Sequence, residues 1–346
     1  REDRLLDARG ALEAYERVLE RAPTHRGALH AIVRAGTRAG EPARVVAALR
    51  QEAEQTKDPA RAAALLHRAA TLTAYECGDP GAAIRALEAL LAKQPKHRAS
   101  LEALAELLSD AERWAELVAV YGRLLPLTAT ATEKVRLHHR IGEIHETQIG
   151  DAHAAIAAYR AALQLDPEFE PAREALLLAL RRAGAWPELA EAIEQRIGRL
   201  RTPLERARAA TELGALVEER LGDTERALGL YERALDEVPL HHPALDARAR
   251  LLTEASKWNE LGEALEAEAS AHADPFLRLQ ASLRAALVRA EQQGAIGPAL
   301  EAFRPVFERH PDHVGALLAV ESIYGRTRDD AGLAATYEKM AEVLDD

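Results

Sequence analysis

Residues Gly150–Pro167 read GDAHAAIAAYRAALQLDP. Gly150 can take the left-handed backbone that stops one helix, and Asp151 can accept the first free amides of the next. An apolar stripe follows, with small Ala155 set against large Tyr159, and Asp166-Pro167 closes the segment. The same stretch recurs in degraded form along the chain. The closing prolines are Pro23, Pro95, Pro167, Pro239 and Pro311, each 72 residues after the last. A period held without insertion or deletion marks a repeat architecture rather than two or three separate globular domains.

Bulk composition agrees. Hydrophobic residues make up 48% of the 346-residue chain and aromatic residues only 4%. Burial therefore rests on Ala, Leu and Val, which suits closely packed helices. The formal charge of −11 argues against a general nucleic-acid binder, because phosphate contact needs a basic footprint. Cys77 is the only cysteine, which excludes an internal disulfide framework and a Cys-rich zinc site. A chain so poor in cysteine suits a reducing, cytoplasmic compartment. No apolar run approaches the roughly 18–20 residues of a membrane span.

The 72-residue unit divides into four helical segments of about 14–18 residues. In the unit 131–202 the pattern predicts helix A over 132–149, helix B over 152–165, helix C over 168–183 and helix D over 186–200. Gly78, Gly150, Gly222 and Gly294 share the column that ends helix A, and Asp79, Asp151 and Asp223 follow as N-caps. Such caps contribute about 0.5–2 kcal/mol each. Asp58-Pro59, Thr202-Pro203 and Asp274-Pro275 repeat a cap-then-proline device at the start of helix A. Thr130…Glu133 and Thr202…Glu205 have capping-box spacing.

Column identity predicts the faces. Ala11, Ala83, Ala155, Ala227 and Ala299 share a column in helix B, and Ala31, Ala103, Ala175, Ala247 and Ala319 share one in helix C. Small residues in register predict close helix approach. Tyr15, Leu87, Tyr159, Tyr231 and Phe303 fill the gaps in helix B. In helix D, Leu49, Tyr121, Ile193, Leu265 and Tyr337 line up as core, and Trp114, Trp186 and Trp258 open the helix. Each hairpin has an apolar face that only its neighbours can cover.

Gly150-Asp151, Ala155, Ile156, Tyr159, Ala162-Leu163 and Asp166-Pro167 resemble the second half of a tetratricopeptide repeat, and Ile141-Gly142 resembles the Leu-Gly of its first half. The resemblance covers essentially residues 7–346, as two hairpins per unit. HEAT repeats fit less well, because the Gly-Asp and Asp-Pro punctuation is that of the tetratricopeptide family. There are departures: one extra residue, Ile149, precedes the glycine, His145 stands where the family has an aromatic, and the second hairpin opens helix D with Trp-x-Glu-Leu. The resemblance implies an all-α fold, a right-handed alpha-alpha superhelix of about nineteen antiparallel helices. The organisation expected is a single array with a partial unit at 1–58 and units at 59–130, 131–202, 203–274 and 275–346. A truncated helix at residues 1–6, and Asp346 in the column of Asp58, Thr130, Thr202 and Asp274, suggest a segment of a longer chain.

The scan for chemistry yields little. His138, His139 and His145 cluster on helix A, but only His139 and Glu143 have i, i+4 spacing and no HExxH occurs. No phosphate-cradling glycine loop and no G-x-S-x-G is present, so neither cofactor nor metal is expected and the chain is expected not to be an enzyme. Cys77 follows the last turn of a helix, where the dipole does not favour a thiolate.

Binding is then the remaining function. The resemblance implies that helices A and C line a concave groove for peptide or protein partners. On helices A its positions are Arg136, His139, Glu143 and Glu146, then Arg208 and Glu218. On helices C they are His30, Arg34 and Arg38, then Glu102, Glu106 and Asp110, then Glu174, Arg181 and Arg182, then Asp246, Arg250 and Glu254. The lining changes from basic to acidic to mixed along the chain. The groove asparagine with which family members clamp a terminal carboxylate is replaced by Thr71, Glu143, Ala215 and Leu287, which implies no such clamp. Two other roles stay open: a regulatory or recruiting arm of a larger enzyme or signalling protein, and a structural solenoid self-associating through apolar residues of its last helix.

Overall fold

The computed structural model describes residues 7–293, 296–309 and 313–344. The positions read above at residues 1–6, Gly294, Pro311 and Asp346 lie outside the described residues. Among the described residues there are nineteen α-helices and no strand.

The chain divides into two compact units, Arg1–Ala183 and Gly184–Asp346. The first contains α1 (Ala8–Arg21), α2 (Arg26–Ala39), α3 (Pro42–Gln55), α4 (Pro59–Tyr75), α5 (Pro80–Lys93), α6 (Arg98–Asp110), α7 (Trp114–Leu124), α8 (Ala131–Ile144), α9 (Ala152–Leu165) and α10 (Glu170–Ala183). The second contains α11 (Trp186–Ile197), α12 (Pro203–Leu216), α13 (Thr224–Glu237), α14 (His242–Glu254), α15 (Trp258–Ala271), α16 (Pro275–Gln293), α17 (Ile296–Arg309), α18 (Val314–Thr327) and α19 (Asp330–Leu344). Within each unit, successive helices pack on one another. In addition α4 meets α6, α8 meets α10 and α16 meets α18, so helix A touches helix C of the same repeat.

The helix ends have the chemistry expected of them. Gly78, Gly150 and Gly222 have φ of 68°, 79° and 69°, the left-handed stop. Asp79, Asp151 and Asp223 accept the N–H groups of Ala82, Ala154 and Arg226 at 2.8, 2.9 and 3.0 Å. Thr202 and Glu205 form a complete capping box, whereas Thr130 accepts from the Glu133 amide without the reciprocal bond. Helix A does not run uninterrupted to its glycine. After α8 the chain makes one π turn, His145–Ile149, and after α12 another, Val217–Leu221. A π turn is how a helix absorbs one surplus residue without losing its capped end.

The helix B alanines Ala11, Ala83, Ala155, Ala227 and Ala299 are at most 3% exposed. In helix C the small buried column differs from the one expected. Ala31 and Ala319 are buried as expected, but Ala103, Ala175 and Ala247 are only half-buried, and the column buried in every copy lies three residues earlier, at Ala28, Ser100, Ala172, Ala244 and Ala316. The contact is made by the first turn of helix C, where the chain enters from helix B. Tyr337 is a second difference: it is 51% exposed, and its hydroxyl donates to Glu321 at 2.7 Å instead of joining the core. The helix D tryptophans are all half-buried.

Candidate peptide-binding groove

The candidate positions on helices A and C do not form one uniform lining. Three kinds of environment separate them.

The first is internal pairing. Glu146, on the π turn after α8, accepts the Tyr159 hydroxyl at 2.8 Å and Arg182 Nη1 at 2.7 Å. One repeat on, Glu218 accepts the Tyr231 hydroxyl at 2.9 Å and Arg250 Nη2 at 2.6 Å. Burial and the adjacent carboxylate push both phenols well above their ordinary range. Arg250 also reaches Glu254 at 3.3 Å. His30 Nε2 stands 2.9 Å from Glu52 Oε1, which also takes Arg61 Nη2 at 2.9 Å. Burial pushes the Glu52 carboxyl up, but the bonds from His30 and Arg61 outweigh it and hold the group below its usual value. These groove positions tie helix A or helix D to helix C.

The second is stacking. His139 is drawn from the lining, its ring 5.6 Å from Tyr159 and 5.5 Å from Phe169, with Nδ1 3.9 Å from Glu143. Glu143 itself takes Arg140 Nη1 at 3.2 Å. Among the described residues no group of three or more His, Cys, Asp or Glu is placed to hold a metal ion.

The third is an open surface. Arg34, Arg38, Glu102, Glu106, Asp110, Arg136, Glu174, Arg181, Arg208 and Asp246 are exposed. Three of them, Glu102, Glu106 and Arg136, border a cleft of about 430 Å³ between α6, α7 and α8. Its floor is apolar: Ala105, Tyr121, Leu124 and Leu137. Arg98 bridges two acids of the rim, with Nε 2.6 Å from Glu102 and Nη2 3.7 Å from Glu133. The Tyr75 phenol is raised by burial and by the carboxylates of Glu106 and Asp110. A larger cleft of about 610 Å³ lies among α17, α18 and α19, with Lys339 Nζ 5.3 Å from the centre of the Phe307 ring, and contains no groove position.

Several participants escape a reading of charged columns. Leu178 and Tyr75 are 51% and 55% exposed on helices whose other faces are packed. Both occupy positions that carry charged or polar residues in other copies. Just before helix C, Nδ1 of His25, His97 and His313 accepts the amides of Ala28, Ser100 and Ala316 at 3.0, 3.3 and 3.1 Å. They are N-caps, legible in the sequence from their 72-residue spacing but hidden by a side chain seldom used for capping.

Helical hairpins in register, capped and stacked in this way, define an α-helical repeat protein. Residues 100–135 and 135–169 match two profiles described as tetratricopeptide repeat. Residues 100–169 therefore carry tetratricopeptide repeats, and repeats of this kind make protein–protein interaction scaffolds. No curated protein matches the sequence. Among solved structures it is similar to the Naa15/Naa10 complex bound to HypK-THB (16% identity, 99% of this chain and 59% of that one, TM-score 0.36). The chain therefore spans little more than half the length of that relative. It is also similar to a tetratricopeptide repeat protein from Parabacteroides merdae (15% identity, 77% and 96% coverage, TM-score 0.33). A third is YrrB, a TPR protein with an unusual peptide-binding site (17% identity, 54% and 91%, TM-score 0.31). Among the described residues no helix is long and apolar enough to cross a membrane.

Proposed function

We propose that the chain is a non-catalytic scaffold that takes peptide segments of protein partners on the face lined by helices A and C, with the 72-residue units as its modules. The observation that carries this reading is the cleft of about 430 Å³ where Glu102, Glu106 and Arg136 converge over an apolar floor. All of its lining except Arg98 lies within the residues that match the tetratricopeptide profiles. Exposed Leu178 adds an apolar contact on the same class of helix. An extended peptide would be held by such apolar anchors, with the surrounding charges setting register and partner choice more than affinity.

Site-specific photocrosslinking tests the reading. A benzophenone side chain replacing Leu178 is expected to give adducts with partner proteins, and one replacing Glu88, an exposed residue of α5, is not. Adducts from Glu88 but none from Leu178 would place binding on another face.

A further inference from the structure

The cleft between α6, α7 and α8 has a more specific chemistry than a general groove. Its floor accepts aliphatic carbon: Ala105, Leu124 and Leu137 are joined by the half-buried ring of Tyr121. Its rim carries three carboxylates, Glu102, Glu106 and Glu133, against two guanidinium groups, Arg98 and Arg136. The excess is acidic, as is the chain as a whole at −11. Glu106 borders the cleft, and Arg98 Nε takes Oε1 of Glu102 at 2.6 Å.

We infer that this cleft seats the side chain of an arginine from a basic peptide segment, an assignment that rests on the groove reading above. The aliphatic stem of such a residue covers the apolar floor while its head stays at the polar rim. A planar guanidinium fork matches the rim carboxylates of Glu102 and Glu106 and can lie against an aromatic ring, which an ammonium does less well. The Arg98–Glu102 pair does not block entry. Both partners are about half exposed, and ion pairs of that kind are held weakly enough for an incoming cation to share the acid. Arg136 sets the limit on the partner: a second acidic group beside the arginine would be tolerated there, whereas a second arginine would not.

Fluorescence anisotropy on the intact chain tests the assignment. Three labelled leucine–serine peptides are used, with one central position filled by arginine, glutamate or serine. The arginine peptide is expected to bind, and a lysine version to bind several-fold more weakly. Glu106→Lys should weaken the arginine peptide about tenfold, because it places like charge against the guanidinium. Glu106→Gln should produce a smaller loss in the same direction. Glu54→Lys, an exposed change on α3, should bind like the parent. Circular dichroism of each variant shows that helicity is kept. If Glu54→Lys loses as much as Glu106→Lys, the attraction is to net charge and the cleft assignment fails. Tighter binding of the glutamate peptide would also overturn it, by making Arg136 the anchor. If no peptide binds, the assignment falls, while crosslinking from Leu178 still decides the groove reading separately.

Discussion

Gly142 lies under the ring of Tyr159 so closely that a Cβ there would stand 2.4 Å from Tyr159 Cε1. Gly214 has the same relation to Tyr231, at 2.6 Å. The copies without this pair change all its parts together. Residues 59–130 have Ala70, Ala74 and Leu87, and residues 275–346 have Ala286, Ala290 and Phe303, where the middle copies have glycine, glutamate and tyrosine. The glycine makes room for the ring, and the glutamate receives its hydroxyl.

Gly142→Ala is therefore expected to destabilise the chain by about 1–2 kcal/mol. Overpacking costs about 1–3 kcal/mol, and the better helix propensity of alanine returns up to about 1. Adding Tyr159→Leu should recover part of the loss, since Ala70 and Leu87 coexist in the neighbouring copy. Urea unfolding followed by circular dichroism over the double-mutant cycle reads the coupling. Strict additivity of the two changes would show that ring and glycine are not in contact.

The tyrosines predict an alkaline sensitivity. Tyr159 and Tyr231 titrate above the ordinary phenol value because burial, and then Glu146 or Glu218, disfavours the phenolate. An unfolded tyrosine releases its proton near pH 10 while the folded one keeps it. The stabilisation is thus complete below about pH 10 and is lost as pH rises beyond it. Tyr159→Phe with Tyr231→Phe should lower stability at neutral pH and flatten the fall between about pH 9 and 11. An unchanged alkaline slope would assign the sensitivity to other groups.

An acid sensitivity has a different origin. Burial lowers His67, His138 and His241, with His97 adding to His67, and Arg208 and His242 adding to His241. Unfolded imidazoles take a proton near pH 6.5 and the folded ones resist, so stability is full above about 6.5 and declines as pH falls below it. His67→Gln is expected to reduce the loss of stability between about pH 7 and 5.5, as measured by urea midpoints.

The turn from helix C to helix D offers a stabilising change. Its column is left-handed in every copy: Gly40 and Gly184 at φ 67°, but Glu112, Ser256 and Arg328 at 55°, 55° and 54°. A side chain in that conformation costs roughly 1–2 kcal/mol, partly offset in glycine by its freer unfolded chain. Glu112→Gly should stabilise by about 0.5–1 kcal/mol, seen as a higher urea midpoint without a change in slope. A lower midpoint would contradict this account of the turn.

The sequence alone determined the repeat length, the helix stops and starts, and the buried helix B column, because these depend on local backbone chemistry. Gly150, Asp151 and Pro167 need only their immediate neighbours to act. It also marked which helices carry variable, charged positions. What only the tertiary structure decided is which of those charges are engaged within the chain. Glu146 and Glu218 are claimed by a tyrosine and an arginine of the same chain, and His139 by two aromatic rings. Glu102, Glu106 and Arg136 remain around an open cleft. A column of charges looks the same in sequence whether its partner is internal or not. The difference lies in contacts between residues up to 36 positions apart, set by how helix A and its π turn are seated against helix C.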